Sequence, residues 1–187
     1  MNTEQLIKPN EVVPYVLSLF ETTCIKQFES IDRKITRVDA PEHTDTDRRA
    51  ASIQCSNDDL KVTLVLCLPK TTLANTLPRM GDIAPYLGEE LLQDWLHELC
   101  NRVLGRLKNK LLDHNCVLRM GLPLACPENY LGAIQNEPGK KICEYFELDG
   151  GVIECHLCVN MLNPGMVMEQ YEDEDEDWFD ESELENL

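Results

Sequence analysis

The clearest structural signal in the chain is the stretch from Glu89 to Leu107, EELLQDWLHELCNRVLGRL. Its apolar residues recur at spacings typical of a helix with one buried face; they are Leu92, Leu96, Leu99, Val103 and Leu107. The opposite side carries a set that we call the polar stripe, which consists of Asp94, Glu98, Asn101 and Gly105. Steps of four, three and four residues keep the stripe within an arc of roughly 60°. The spacing predicts an amphipathic helix from about 87 to 112 that presents this stripe outward.

The glycine in this stripe is unusual, because a glycine in a helix interior costs about 1 kcal/mol relative to alanine. Two interpretations are open on spacing alone. The stripe is a solvated polar face that tolerates Gly105, or it is a surface where the missing side chain lets another molecule approach. His97 projects well off the stripe and is interpreted as a flanking residue.

Around this helix the sequence predicts a second long helix and several strands. The second helix begins after an N-cap at Asn10 and ends near Phe28, with Pro14 in its first turn. A loop covers 39–49. The other predicted elements are strands 52–55 and 61–68 joined by a turn, a short helix 71–77, a strand 116–122, and a hairpin of 141–148 and 152–162 that turns at 149–151. The order helix, strands, helix, strands suggests an internal duplication.

Charge is unevenly distributed along the 187 residues, whose formal net charge is −17. Residues 169–187 hold 11 of the 34 carboxylates and no Lys or Arg, so the rest of the chain carries −6. No basic stripe of a nucleic-acid binder is present. The sequence predicts one folded domain, 1–168, and an acidic, disordered tail, 169–187. Trp178, Phe179, Leu184 and Leu187 interrupt the acids, so the tail is interpreted either as a solubilising segment or as a short docking peptide.

The nine cysteines predict a reduced, cytoplasmic protein with buried thiols. The first residues are polar and lack the apolar stretch of a signal peptide, and no apolar run approaches a membrane span. The Cys100-x5-Arg106 spacing resembles that of thiol phosphatases, but these residues fall inside the predicted helix, where the N–H groups are already bonded. Cys155 and Cys158 lie in a predicted strand, where their odd spacing points them to opposite faces. This arrangement predicts a structural role for both thiols and no metal site.

The polar stripe resembles the signature of the CheC/CheX/FliY family of chemotaxis phosphatases. The string Asp94-x3-Glu98-x2-Asn101-x3-Gly105 carries the resemblance, and Met120-Gly121-Leu122-Pro123-Leu124 is similar to the family's downstream strand ending in proline. Some members carry the signature on both long helices. Here Glu21-Thr22-Thr23-Cys24 on the first helix is either a chance match or an echo without the amide, so the chain is most similar to single-site, CheX-like members.

This resemblance implies an α+β fold in which two long helices pack on an antiparallel β-sheet, with a pseudo-repeat of helix and strands. It also implies a function, the hydrolysis of the aspartyl phosphate of a CheY-like response regulator. Asn101 would orient the attacking water, and Glu98 would pair with a lysine of the regulator. Asp94 would extend the acidic contact or hold Glu98, and Gly105 would allow close approach.

The implied site has no cofactor of its own, because the regulator would hold the Mg²⁺ and the phosphate. An amide does not titrate, but it can position water, and phosphoryl transfer depends largely on positioning and electrostatics. The CheX resemblance also suggests a homodimer. Two alternatives stay open: a non-catalytic CheC/CheX-like module that binds a regulator or signalling component, and an unrelated helix–sheet domain with an accidental stripe.

Overall fold

A computed structural model describes residues 5–31, 35–41, 47–77, 88–126, 130–148 and 150–170 of the chain. In chain order the elements are β1 (Gln5–Ile7), α1 (Pro9–Glu29), β2 (Thr36–Val38), β3 (Arg48–Ser56), β4 (Leu60–Pro69), α2 (Lys70–Asn75), α3 (Glu89–Asp113), β5 (Arg119–Met120), β6 (Leu124–Ala125), α4 (Tyr130–Gln135), β7 (Lys140–Leu148), β8 (Gly151–Met161) and β9 (Met168–Gln170).

The main sheet is antiparallel and has the strand order β2-β7-β8-β4-β3-β5, with β6 also paired to β3. Helix α1, of 21 residues, contacts β7 and β8, and helix α3, of 25 residues, contacts β3 and β4. The two helices also contact each other. The architecture is therefore α+β, with the main core between one face of the sheet and these helices.

Strand β4 lies at the centre of the sheet and is buried along nearly its whole length. Its side chains alternate between the two faces, so Leu64 and Leu66 join the core under the helices while Val65 points the other way. On that second face Val65 packs with Ile134 of α4 and with Cys158. Burial on both faces of its second half explains why residues 64–68 are a continuous apolar run in the sequence.

Helix α1 begins earlier than predicted, so Asn10 is not its N-cap. Lys8 precedes the helix with extended backbone angles, and its amide donates to the Glu11 carboxylate at 3.1 Å. Pro9 then occupies the first helical position, where the fixed φ of proline suits a helix and its missing N–H is not needed. The shift places Pro14 in the second turn rather than the first.

Strand β3 begins at Arg48, inside the segment predicted as a loop. Arg48 pairs with Pro69, and Arg49 pairs with Leu68. Because the neighbouring strand β4 is long, β3 continues its pairing into residues that lie before its alternating apolar pattern. The predicted turn between the two strands is present. There the Asn57 carboxamide oxygen accepts bonds from the amides of Asp59 at 2.9 Å and Leu60 at 2.8 Å.

The predicted strand 116–122 is replaced by two short strands on the edge of the sheet. Residue Met120 of β5 lies opposite Cys55, and Leu124 of β6 lies opposite Ser52. Three residues, 121–123, therefore face two on β3, which is the arrangement of a β-bulge. Pro123 has no N–H to continue the ladder, and Leu122 is 83% exposed at the bulge. A pattern of apolar residues could not reveal this interruption.

The hairpin of β7 and β8 has a tighter turn than predicted, because Gly151 already pairs with Leu148. Only residues 149 and 150 lie between the strands, and Gly150 has φ +76°, which favours glycine. Residue 149 is outside the described residues.

Glu169 and Gln170, which the sequence prediction assigned to the tail, belong to β9. This strand pairs with β1, and neither strand was predicted from the sequence, nor were β2 and α4. The tail at 171–187 lies outside the described residues, so its disorder stays a prediction. Among the helices that the structure describes, none is long and apolar enough to cross a membrane.

Candidate functional site

The candidate site lies on the outer side of helix α3, whose inner side is the apolar face that the sequence predicted. Leu92, Leu96, Leu99, Val103 and Leu107 are each at most 1% exposed. Trp95, Cys100, Leu104 and Leu111 are buried as well. This wide buried face fixes the rotation of the helix on the sheet and thereby directs the polar stripe outward.

The stripe residues are accessible to different degrees. Asp94 is exposed, while Glu98, Asn101 and Gly105 are half-buried. Within the described part of the chain, the Asn101 carboxamide has no hydrogen-bond partner, and the same is true of the Asp94 carboxylate. An amide on a rigid helix with both its donor and acceptor groups open can bind water or a polar group of another molecule.

Gly105 lies beside the edge segment that contains the bulge. A β-carbon added at Gly105 would lie 3.9 Å from the Met120 sulfur, an ordinary van der Waals distance. The fold itself therefore does not require a glycine at this position. Among the described residues, no packing contact accounts for its intrinsic helix cost of about 1 kcal/mol.

A connected set of side chains holds Glu98, and the sequence analysis did not identify it. The Arg102 guanidinium donates from Nε to Glu98 Oε1 at 2.8 Å, and its carbon Cζ lies 5.4 Å from the centroid of the Trp95 ring. Trp95 in turn donates to the hydroxyl of Thr76 at 2.7 Å. The Glu98–Arg102 spacing of four residues is a signal that the sequence contains, whereas the contact of Trp95 with Thr76 depends on the tertiary fold.

The similar string on α1 does not form a second site of this kind. Cys24, which occupies the position of the asparagine, is fully buried in the core. Glu21 pairs with Arg37 of β2. Thr23 is buried too, and its hydroxyl donates to the Leu19 carbonyl at 2.7 Å. These residues contribute to packing and to a surface ion pair.

Cys100 is a core residue, in agreement with the interpretation of its spacing to Arg106 as coincidence. It is fully buried, and its thiol lies 3.6 Å from the Ala51 carbonyl oxygen. Burial raises the pKa of the thiol well above its ordinary value. The thiolate needed for nucleophilic attack is therefore not formed near neutral pH.

We expect iodoacetamide at pH 8 to leave Cys100 unmodified in the native protein and to modify it after denaturation, because only unfolding exposes and ionises the thiol. Mass spectrometry of the peptide containing Cys100 measures this. Cys126, which is partly exposed, is the internal comparison. Equal labelling of Cys100 in the native and denatured states would contradict the buried, inert thiol.

Cys155 and Cys158 lie on opposite faces of β8, as their odd spacing predicted. Cys155 is in the main core, and Cys158 packs with Val65 and Ile134 on the other face. They therefore cannot bind one ion together. Across the described ranges, no group of three or more His, Cys, Asp or Glu side chains is arranged to hold a metal.

Comparison with solved structures identifies the fold. No protein-family model matches the chain, and no curated protein matches it. The chemotaxis protein CheX from Vibrio vulnificus is similar in structure, with a TM-score of 0.62 and 14% identity over 78% of this chain and 99% of that one. A CheC-like protein from Shewanella oneidensis has a TM-score of 0.59 and 17% identity, over 76% and 96% of the two chains.

A third similar structure contains a partner. It is a complex of CheX with CheY, BeF3 and Mg²⁺ from Borrelia burgdorferi, with a TM-score of 0.54 and 14% identity over 79% of this chain and 97% of that chain. The class of the protein is thus an α+β domain with the fold of chemotaxis proteins. More specifically, it has the fold shared by CheX and CheC-like proteins, which agrees with the resemblance seen in the polar stripe.

Proposed function

We propose that this chain is a phosphatase that hydrolyses the aspartyl phosphate of a CheY-like response regulator. The observation that carries the proposal is the open carboxamide of Asn101 next to a carboxylate on the outer side of α3, within the CheX fold. Among the described residues no group of three or more His, Cys, Asp or Glu side chains is arranged to hold a metal. In this proposal the partner brings the phosphoryl group and the metal ion.

Asn101 supplies the water-orienting group in this mechanism. Its amide accepts a hydrogen bond from the water and donates one toward the phosphoryl oxygens, without a change of protonation state. Phosphoryl transfer has a loose transition state in which a correctly placed water is a large part of catalysis. A rigid helix supported by the sheet keeps this amide in one position while the partner docks.

Glu98 supplies the docking charge. One of its oxygens is bound by Arg102, and the other, Oε2, has no hydrogen-bond partner in the described part of the chain. An ammonium group of the regulator can bind there. The CheX structure from Borrelia burgdorferi supports this type of partner, because it contains CheY with Mg²⁺ and BeF3, a stand-in for a phosphoryl group. Asp94, one turn earlier, extends the negative surface.

The internal pseudo-repeat is also part of the proposal. The exchange replaces α1 with α3, β2 with β5, β3 with β7 and β4 with β8, and vice versa. It reproduces the strand order of the main sheet in reverse. The same exchange converts the contacts of α1 with β7 and β8 into those of α3 with β3 and β4. In such a duplication α3 keeps the active stripe and α1 has lost it, because its asparagine position is the buried Cys24.

Gly105→Ala should stabilise the free protein by up to about 1 kcal/mol, because alanine favours the helix and its β-carbon fits beside Met120. If the regulator approaches at this position, the same change should raise KM for the phosphorylated regulator. Thermal unfolding and steady-state kinetics measure the two effects. A stabilised variant with unchanged KM would contradict the role of Gly105 in close approach.

The proposal is tested by a screen of the CheY-like receiver domains from the same organism. Each is phosphorylated with a small-molecule phosphodonor, and phosphate release is followed with and without this protein. Accelerated release from one regulator supports the phosphatase. Binding without acceleration would favour the non-catalytic module. The homodimer, the cytoplasmic location and the docking role of the tail stay predictions.

A further inference from the structure

Four side chains form a continuous path from the core to the polar stripe. The Thr76 hydroxyl, fully buried, donates to the Leu73 carbonyl at 2.7 Å and accepts from the Trp95 indole at 2.7 Å. The Arg102 guanidinium lies over the Trp95 ring and donates to Glu98 at 2.8 Å. We call these residues the Thr76–Glu98 path.

The path restrains Arg102 more than an ordinary surface ion pair would. Trp95 is only 8% exposed, so packing and a buried hydrogen bond both fix its ring. The planar guanidinium contacts both this ring and the Glu98 carboxylate. Arginine suits this position because its rigid fork loses little further freedom when it binds, whereas lysine cannot make both contacts in the same way.

The consequence for Glu98 is a defined orientation in an accessible side chain, which is 45% exposed. Arg102 binds Oε1 through Nε and leaves Oε2 open. A half-exposed glutamate without such a partner samples several rotamers, and a binding partner must then order it at a cost in affinity. Here the bond from Arg102 supplies part of that ordering before a partner arrives.

We propose that Arg102 is a positioning residue that holds Glu98 ready for an ammonium group of the partner, with Trp95 and Thr76 supporting it. This inference rests on the proposed function, because it assumes that Glu98 docks a regulator. The sequence offered two roles for Asp94, and the contact that the structure shows with Glu98 is made by Arg102. The repulsion between Arg102 and an approaching ammonium is weakened by solvent, because the Arg102 and Glu98 side chains are 38% and 45% exposed.

The test is a double-mutant cycle on affinity for a receiver domain loaded with BeF3⁻ and Mg²⁺, measured by titration calorimetry. Arg102→Ala should weaken binding about three- to tenfold, since the ordering cost returns. In the Glu98→Ala background the same change should have no effect, because Arg102 acts only through Glu98. At saturating regulator, kcat should be unchanged. Arg106→Ala, on the same helix, is the matched control and should bind like the wild type.

A second variant tests the supporting part of the path. Trp95→Phe keeps an aromatic ring and removes the N–H that binds Thr76. It should weaken binding in the same direction and to a smaller extent, and thermal unfolding should confirm that the variant folds.

The outcomes separate this inference from the proposed function. Weaker binding by Glu98→Ala with unchanged or tighter binding by Arg102→Ala would overturn the positioning role alone. An equal loss from Arg102→Ala in both backgrounds would do the same, because it would mean that Arg102 acts independently of Glu98. If Glu98→Ala binds like the wild type, or if no receiver domain binds, the docking role of Glu98 fails and the inference fails with it.

Discussion

Asn101→Ala should lower the rate of phosphate release from the cognate regulator by about 10²–10³-fold, the usual effect of removing one positioned hydrogen-bonding group. The loss should appear in kcat, because the amide acts on the water in the transition state and contributes little to docking. Single-turnover measurements at saturating regulator isolate this step. Affinity for the receiver domain loaded with BeF3⁻ should change by less than about threefold, which is within the usual effect of a surface substitution.

The matched control is Asn109→Ala, an exposed asparagine on the same helix. It lies eight residues, about 12 Å, beyond Asn101 along the helix axis. This variant should keep the wild-type rate. A full rate in Asn101→Ala, or an equal loss in both variants, would show that the amide does not position the water.

Leu104→Ala should destabilise the fold by about 2–5 kcal/mol, the usual cost of emptying a fully buried leucine position. Leu104 is 0% exposed in the core between α3 and the sheet, so the cavity has few ways to collapse. Chemical denaturation at a fixed temperature measures the loss of unfolding free energy. The rate per folded molecule should fall as well, because this residue supports the helix beneath Asn101.

Leu112→Ala provides the comparison for the stability measurement. Leu112 is on the same helix but is 48% exposed, so its truncation should cost less than about 1 kcal/mol. Similar losses for the two leucines would mean that α3 is not rotated on the sheet as described.

The helix α3 could be predicted because two independent signals agree in it. The apolar spacing and the polar stripe both require the same rotation of the helix, and the buried Leu96 and the accessible Asn101 confirm it. The second half of strand β4 was also predictable, because burial on both faces leaves a continuous apolar run at 64–68. The order of the strands in the sheet could not be obtained from these patterns, since it depends on pairings between distant segments.

Other parts of the structure depend on contacts that a local pattern does not contain. The bulge at 121–123 arises because β3 pairs with two separate short strands, so the extra residue is visible only in the register. Strands β1 and β9 have three residues each, which is too short to show an alternating apolar pattern. Each is stabilised by pairing with the other. Trp95 was one apolar residue among several in the sequence, and its bond to Thr76, the residue after α2, depends on how α2 and α3 pack together.

The lifetime of the phosphorylated regulator measures the proposed phosphatase activity directly. The receiver domain is labelled on its aspartate, freed from phosphodonor, and followed with and without a substoichiometric amount of this protein in the presence of Mg²⁺. The wild type should shorten the lifetime and each chain should turn over many regulators, while Asn101→Ala should leave the lifetime near the uncatalysed value. Equal lifetimes with and without the wild-type protein, for every receiver domain of its organism, would contradict the proposed activity.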